Sequence, residues 1–215
     1  MSDTVGQRVG IFGGSFDPIH LGHLLAAEQC REHLHLDRVL FIPAARSPFK
    51  LDQQSADAKH RWEMLQLAIG GNPYFQGDDR ELKRGGTSFT VDTLRELHAQ
   101  FPHQQFLLLI GADALTDFAK WREPHEICRL AKVVVVGRGG HAPPNLSVLQ
   151  PYLPTGPLAE LSEHYVPIPV CEISASQIRL AVTAGRSIRY QVPPAVAAYI
   201  EQHQLYRSTA AHPNS

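Results

Sequence analysis

The sequence predicts an α/β fold built on an open, doubly wound parallel sheet, on three observations. Strand-like apolar runs alternate with helix-like ones along most of the chain. Two of the runs, Phe106–Ile110 (F-L-L-L-I) and Lys132–Val136 (K-V-V-V-V), are continuously apolar, as strands covered on both faces are. The expected first strand runs into a glycine pair, Gly13-Gly14, that leads toward a helix-like stretch. In such sheets a ligand crevice opens at the carboxyl ends of the strands, where Gly13, Pro43 and Gly111 all fall.

Taken in order, Arg8 to Gly13 is the expected first strand and about Leu21 to His33 the first helix. Arg38 to Pro43 is the second strand, followed by a basic loop through Arg46 and Lys50 and a helix from about Ala56 to Ile69. Tyr74 to Arg84 is ambiguous, with room for a strand. Ser88 or Thr90 has the side chain to cap a helix running through His98. Between the two apolar strands, short helices are expected around Leu115 and Ile127. Beyond Gly137 the residues Gly139, Gly140, Pro143, Pro144, Pro151, Pro154 and Pro157 predict a long loop in place of a second domain. Val166 to Val170 is the expected last short strand. Ser174-Ala-Ser-Gln177 has capping-box form and starts a helix to Ala184, and Pro193 opens a final helix to about His203. The organisation predicted is a single domain over 1–207 with a frayed tail over 208–215.

A chain of 215 residues, 43% of them hydrophobic, is enough for one ample core. Three cysteines at irregular positions make no disulfide framework, and no signal-peptide pattern opens the chain, so a cytoplasmic location is expected. No apolar run approaches a membrane span, and a formal charge of −1 argues against a general nucleic-acid or anionic-lipid binder. Any anionic substrate must therefore be held by local groups. Nothing in the sequence sets an oligomeric state. Of the twelve histidines, His33, His35, His60, His98, His103, His164 and His203 are expected at the surface.

The chemistry concentrates in Gly13-Gly-Ser-Phe-Asp-Pro-Ile-His-Leu-Gly-His23, at the first strand-to-helix turn. Glycines let backbone approach a phosphate closely, a helix start offers unpaired N–H groups, and imidazoles add donors. The segment lacks the lysine of a Walker A loop, the G-x-G-x-x-G dinucleotide spacing, the H-E-x-x-H of zinc proteases and the G-x-S-x-G of hydrolases. His20 and His23 share a helix face, so by spacing alone they are phosphate donors, a solvated pair or half a metal site. The scattered Cys30, Cys128 and Cys171 supply no C-x-x-C pair to complete a metal set.

This segment resembles the G-G-[ST]-F-D-P-x-H-x-G-H form of the nucleotidyltransferase superfamily. Further similar pieces follow in order: Thr87-Ser-Phe-Thr-Val-Asp-Thr-Leu94, Gly111-Ala-Asp113 with Trp121 after it, Val136-Gly-Arg138, Ile173-Ser-Ala-Ser-Gln-Ile-Arg179, Val192-Pro193, Tyr199-Ile200 and Leu205-Tyr206. Together they are similar to the bacterial nicotinate-nucleotide adenylyltransferases over nearly the whole chain. The resemblance implies a Rossmann-like sheet of nucleotidyltransferase type. It also implies transfer of the AMP part of ATP to nicotinate mononucleotide, giving nicotinate adenine dinucleotide and pyrophosphate in NAD synthesis. Two departures stand out: Phe49 replaces the usual histidine of P-H-[KR], and Phe89 replaces the tyrosine of S-Y-T.

The resemblance also implies roles. His20, His23 and Arg179 are the catalytic candidates, with Gly13, Gly14, Ser15, Phe16, Asp113, Arg138 and Ser176 around ATP. Lys50, Ser88, Phe89, Thr90 and Trp121 are the candidates for nicotinate mononucleotide. Mg²⁺ is expected to travel with ATP, without a protein ligand that the sequence names. Plainer readings compete at single residues: a solvated loop for Lys50, a solvated arginine on a capped helix for Arg179, a helix cap for Asp113, the core for Trp121. Competing functions are adenylyl transfer to nicotinamide mononucleotide or phosphopantetheine, cytidylyl transfer, and non-catalytic nucleotide binding.

Overall fold

A computed structural model describes residues 6–48, 55–137, 139–140, 143–153 and 163–207. Its centre is a six-stranded sheet in the order β3-β2-β1-β4-β5-β6, parallel throughout. The strands are β1 (Arg8–Gly14), β2 (Arg38–Pro43), β3 (Phe75–Gly77), β4 (Gln105–Gly111), β5 (Lys132–Val136) and β6 (Tyr165–Val166). Around them lie α1 (Leu21–His33), α2 (Ala58–Ile69), α3 (Arg80–Arg84), α4 (Thr90–Gln100), α5 (Ala112–Thr116), α6 (Pro124–Leu130), α7 (Ala175–Thr183) and α8 (Pro194–Gln202).

Alternate residues of an apolar strand face opposite sides, so each central strand feeds two cores. Val39, Phe41, Leu107, Leu109, Val134 and Val136 pack with Ala27 and Cys30 of α1, Met64 and Leu65 of α2, and Ile178 and Val196 of α7 and α8. Leu40, Ile42, Phe106, Leu108, Ile110, Val133 and Val135 pack on the other face with Val91, Leu94, Leu97, Leu115 and Ile127. Each fully buried aliphatic side chain contributes about 1.5–3 kcal/mol, which makes the strand centres the most strongly determined part of the fold. Gly10 sits in close quarters: a Cβ there would lie 2.8 Å from Leu36 Cδ1, and that side chain would have to shift.

The sheet is wound in two directions from β1 and β4, which are parallel neighbours. After β1 the chain enters α1 on one face, and after β4 it enters α5 on the other. The loops at the ends of β1 and β4 therefore diverge and leave a crevice, the place where such sheets bind ligands.

Most expected elements are present, and four details are corrected. The helix after Ser88 is capped by Phe89, in extended conformation, without a side-chain cap. Ser88 instead turns its hydroxyl to accept from Ala45 N at 3.0 Å. The last strand is Tyr165–Val166 and not Val166–Val170, because Pro167 and Pro169 lack the N–H a ladder needs. The long loop contains a 3-10 helix, Leu146–Tyr152, opened by Asn145 Oδ1 accepting from Ser147 N at 3.1 Å. His164 is buried, its ring nitrogen paired with Val133 O, and His60 and His98 are half-buried. The tail 208–215 lies outside the described residues. Among the described residues no helix is long and apolar enough to cross a membrane.

Candidate active site

The turn after β1 is held in an unusual path by its own residues. Phe16 takes a left-handed backbone (φ 47°) and buries its ring, and Asp17-Pro18 is a cis peptide. The Phe16 ring packs edge-on against His23 at 5.2 Å, and Phe12 does so at 6.1 Å. His20 and His23 stack at 3.7 Å between ring centres. The backbone N–H of His20 donates to His23 Nδ1 at 3.3 Å, so the proton of the neutral His23 ring sits on Nε2. His20 is 6% exposed, and burial lowers its pKa to about 4, so the ring is neutral at pH 7. Its Nδ1 is buried with no hydrogen-bond partner among the described residues. Gly22 between the two histidines leaves room for the stack: a Cβ there would lie 3.1 Å from His20 Nδ1 and 3.3 Å from Cys171 Sγ, so those side chains would have to give by a few tenths of an ångström.

Three distant elements brace this turn. Arg179 of α7 donates to Asp17 O at 2.7 Å and to Ser176 Oγ at 3.4 Å, which brings Ser176, Arg179 and the turn together. Tyr206 donates its hydroxyl to Asp17 Oδ1 at 2.6 Å. Arg61 of α2 is 4% exposed and spreads its guanidinium over three carbonyls, Ser15 O (2.8 Å), Ala56 O (3.2 Å) and Ala45 O (3.3 Å). A buried guanidinium is costly unless its donors are satisfied, and here they clamp the turn to the loop after β2.

A cavity of about 420 Å³ opens beside the turn at the carboxyl ends of β1, β2 and β4. Gly13, Gly14 and Ser15 form one side, Ser88, Phe89 and Thr90 another, and Trp121 and Arg122 a third. Trp121 is half-buried and packs on Phe118 at 5.4 Å, while the Arg122 guanidinium lies 4.9 Å over the Phe89 ring. Glu81, also in the lining, is 7% exposed and accepts from Thr93 Oγ1 at 2.6 Å. Desolvation pushes the Glu81 carboxyl upward, against its hydroxyl partners.

Comparisons with known proteins give the chain its family. The cytidylyltransferase-like family model matches residues 11–181. A "Probable nicotinate-nucleotide adenylyltransferase" of Thermus thermophilus is 46% identical over 203 residues, covering 94% of this chain and all (100%) of its own. One of the same description from Rhodopirellula baltica is 42% identical, covering 96% of this chain and 98% of its own. The chain belongs to the cytidylyltransferase-like nucleotidyltransferases, in the nicotinate-nucleotide adenylyltransferase family. Its fold is likewise that of the Plasmodium falciparum nicotinic acid mononucleotide adenylyltransferase solved with NaAD, with a TM-score of 0.73 at 21% identity over 93% of this chain and 97% of that one.

On this adenylyltransferase framework the sequence-predicted residues divide into groups. Gly13, Gly14, Ser15, Ser88, Phe89, Thr90 and Trp121 line the one cavity. Phe16, His20, His23, Ser176 and Arg179 cluster at the adjoining turn. Asp113 is exposed in the first turn of α5 and outside the cavity lining; the cap of that helix is Gly111, which removes the capping alternative. Lys50, with Phe49 before it, and Arg138 lie outside the described residues. Among the described residues no group of three His, Cys, Asp or Glu side chains is arranged to hold a metal.

Arg61, Glu81 and the bracing role of Tyr206 emerge only in the fold. Arg61 did carry a signal: it occupies the buried face of α2 with Met64, Leu65 and Ile69, a charge at an apolar-spaced position.

Proposed function

We propose that this adenylyltransferase joins nicotinate mononucleotide to the AMP moiety of ATP in the cytoplasm, releasing pyrophosphate. The observation that carries the reading is one cavity bordered on one side by the Gly13–Ser15 turn and on the other by Trp121 and the start of α4. Phosphates suit the first border. A flat cationic ring with a carboxylate suits the second, since an indole stacks on the ring and helix-start amides receive the anion.

An oxygen of the 5′-phosphate attacks the α-phosphorus of ATP, and the bond to the β-phosphate oxygen breaks. The nucleophile is already an anion, so the protein needs no general base; it aligns two anions and stabilises charge on the leaving group. His23 Nε2–H and the neutral His20 ring are the donors to ATP oxygens, supported by their stack at the helix start. Arg179 and Ser176 receive the departing pyrophosphate, a role that fits their mutual contact beside Asp17. Backbone N–H groups of Gly13, Gly14, Ser15 and Phe16 complete the phosphate cradle. By resemblance Asp113 and Arg138 serve the adenosine and Lys50 the 5′-phosphate. Mg²⁺ enters as part of the ATP substrate.

The test is pyrophosphate release from ATP with nicotinate mononucleotide, nicotinamide mononucleotide or phosphopantetheine as acceptor. The acid nucleotide should be preferred by at least tenfold in kcat/KM. Preference for either other acceptor, or no release with any, overturns the reading.

A further inference from the structure

Behind α7, away from the cavity described above, a second depression of about 750 Å³ lies between the end of α7, the segment that follows it and α8. Its lining includes Arg186, Arg189 and Arg207, with Ser187 between the first two and Glu201 as a lone carboxylate. Gly185, at φ +65°, turns the chain back at the end of α7 so that Arg186 and Arg189 both reach the depression. No guanidinium of these three makes an ion pair or hydrogen bond among the described residues, unlike Arg31, Arg80, Arg84, Arg95 and Arg129, each of which has a carboxylate partner. Three arginines against one carboxylate in the lining favour an anion with several oxygens, which forked donors bind in pairs.

The place of the depression matters as much as its charge. Arg207 follows Tyr206, whose hydroxyl bonds Asp17. Thr183, also in the lining, shares its one hydroxyl proton between Tyr206 O at 2.8 Å and Arg179 O at 3.0 Å. Two residues after Arg189, Gln191 O accepts from Leu21 N at 2.9 Å, at the start of the helix that carries His23. Every wall of the depression that bears an arginine is thus linked to the turn that holds the stacked histidines.

We infer that this depression is an effector site for a polyphosphate anion and that its occupancy alters ATP use at the turn. The shared chemistry is a chain of phosphates, either free pyrophosphate or that of a nucleoside polyphosphate. The inference is separate from the acceptor assignment, since it needs only that ATP binds at the first site.

Calorimetric titration of the full chain with inorganic tripolyphosphate tests it. Two binding events are expected in the unaltered protein and one in Arg186→Ala/Arg189→Ala, with each single variant weakening the second event about tenfold. Kinetically, tripolyphosphate should change the apparent KM for ATP and also kcat in the unaltered protein. In the double variant it should act as a simple competitor, with turnover in its absence unchanged. Pyrophosphate and ADP compared as replacements distinguish the two sources, and binding of either at the arginine-dependent site supports the inference. Equal binding stoichiometry in the double variant and the unaltered protein, with matching melting curves, overturns it, as does purely competitive inhibition in both.

Discussion

Tyr206, next to the end of the described chain, donates its hydroxyl to Asp17 Oδ1 at 2.6 Å, a contact spanning 189 positions of sequence. Asp17 is 5% exposed and also accepts from Ala56 N at 3.3 Å, with Arg179 Nη1 3.9 Å from its other oxygen. The C-terminal segment, the loop that leads into α2 and α7 thus meet on a single side chain of the histidine-bearing turn.

Tyr206→Phe removes one donor and leaves the ring in place. A hydrogen bond to a charged group is worth about 1.5–3 kcal/mol, so chemical denaturation should show a loss of about 2 kcal/mol. The apparent KM for ATP should rise several-fold while that for the acceptor stays within twofold. Equal shifts in both constants would show that the contact serves general stability and not the turn.

Arg61 makes a sharper case, because its charge and its shape can be separated. Burial disfavours its charged form, and the fork over Ser15 O, Ala45 O and Ala56 O compensates. Lysine keeps the charge but cannot span three carbonyls. Arg61→Lys should therefore lose about 2–4 kcal/mol of stability and at least tenfold in kcat. Unfolding curves together with turnover at saturating substrates check both.

His20 should contribute to the acid limb of the stability curve. Its pKa is about 4 when folded, against 6.5 for the unperturbed ring, so between those values the unfolded chain binds the extra proton. Stability from this group is fully present above pH 6.5 and is lost as pH falls toward 4. A difference of that size is roughly 3 kcal/mol. Melting curves of His20→Ala should fall less steeply across the window than those of the unaltered protein; parallel curves would mean that the ring is not desolvated. At neutral pH the same variant should turn over roughly two to three orders of magnitude more slowly, the effect of losing one transition-state donor.

How much of this was legible beforehand follows the kind of force involved. The bounds of α1, β2 and β5 match the sequence expectation because buried apolar residues fix them, and pattern reports burial directly. The motif turn was readable because its glycines and histidines are unusual together. What escaped were polar side chains acting across long separations: Arg61 to Ser15, Tyr206 to Asp17, Glu81 to Thr93. Ser88 shows the same point from the other side, since local chemistry made it a candidate helix cap while in the fold its hydroxyl oxygen accepts from Ala45 N.

Gly22 separates local propensity from site geometry. Alanine normally favours a helix over glycine by about 1 kcal/mol, and Gly22 has no positive φ to forbid it. Space is the obstacle, with His20 Nδ1 at 3.1 Å from the added carbon and Cys171 Sγ at 3.3 Å. Gly22→Ala should leave the melting temperature within a few degrees and cut kcat at least tenfold as the His20 ring shifts. Turnover close to that of the unaltered protein would show that the stack tolerates movement.

Trp121 decides where the acceptor's ring lies. It lines the cavity while packing on Phe118, so stacking on a ligand and filling a core are both available to it. Stacking a base on an aromatic residue is worth about 1–3 kcal/mol, so Trp121→Ala should raise the apparent KM for nicotinate mononucleotide about tenfold to a hundredfold. ATP saturation should change little, because the phosphates of ATP are assigned to the Gly13–Ser15 border of the cavity and the indole to another border. A core tryptophan behaves differently: its removal costs about 3–5 kcal/mol and harms both substrates together. Trp121→Phe keeps a stacking face with less area, and it should recover most of the acceptor affinity if the ring is the partner. Melting curves measured beside the two saturation curves separate the cases. An unstable Trp121→Ala variant with an unchanged acceptor constant would place the indole in the core and give the pyridinium face to Phe89 or Arg122.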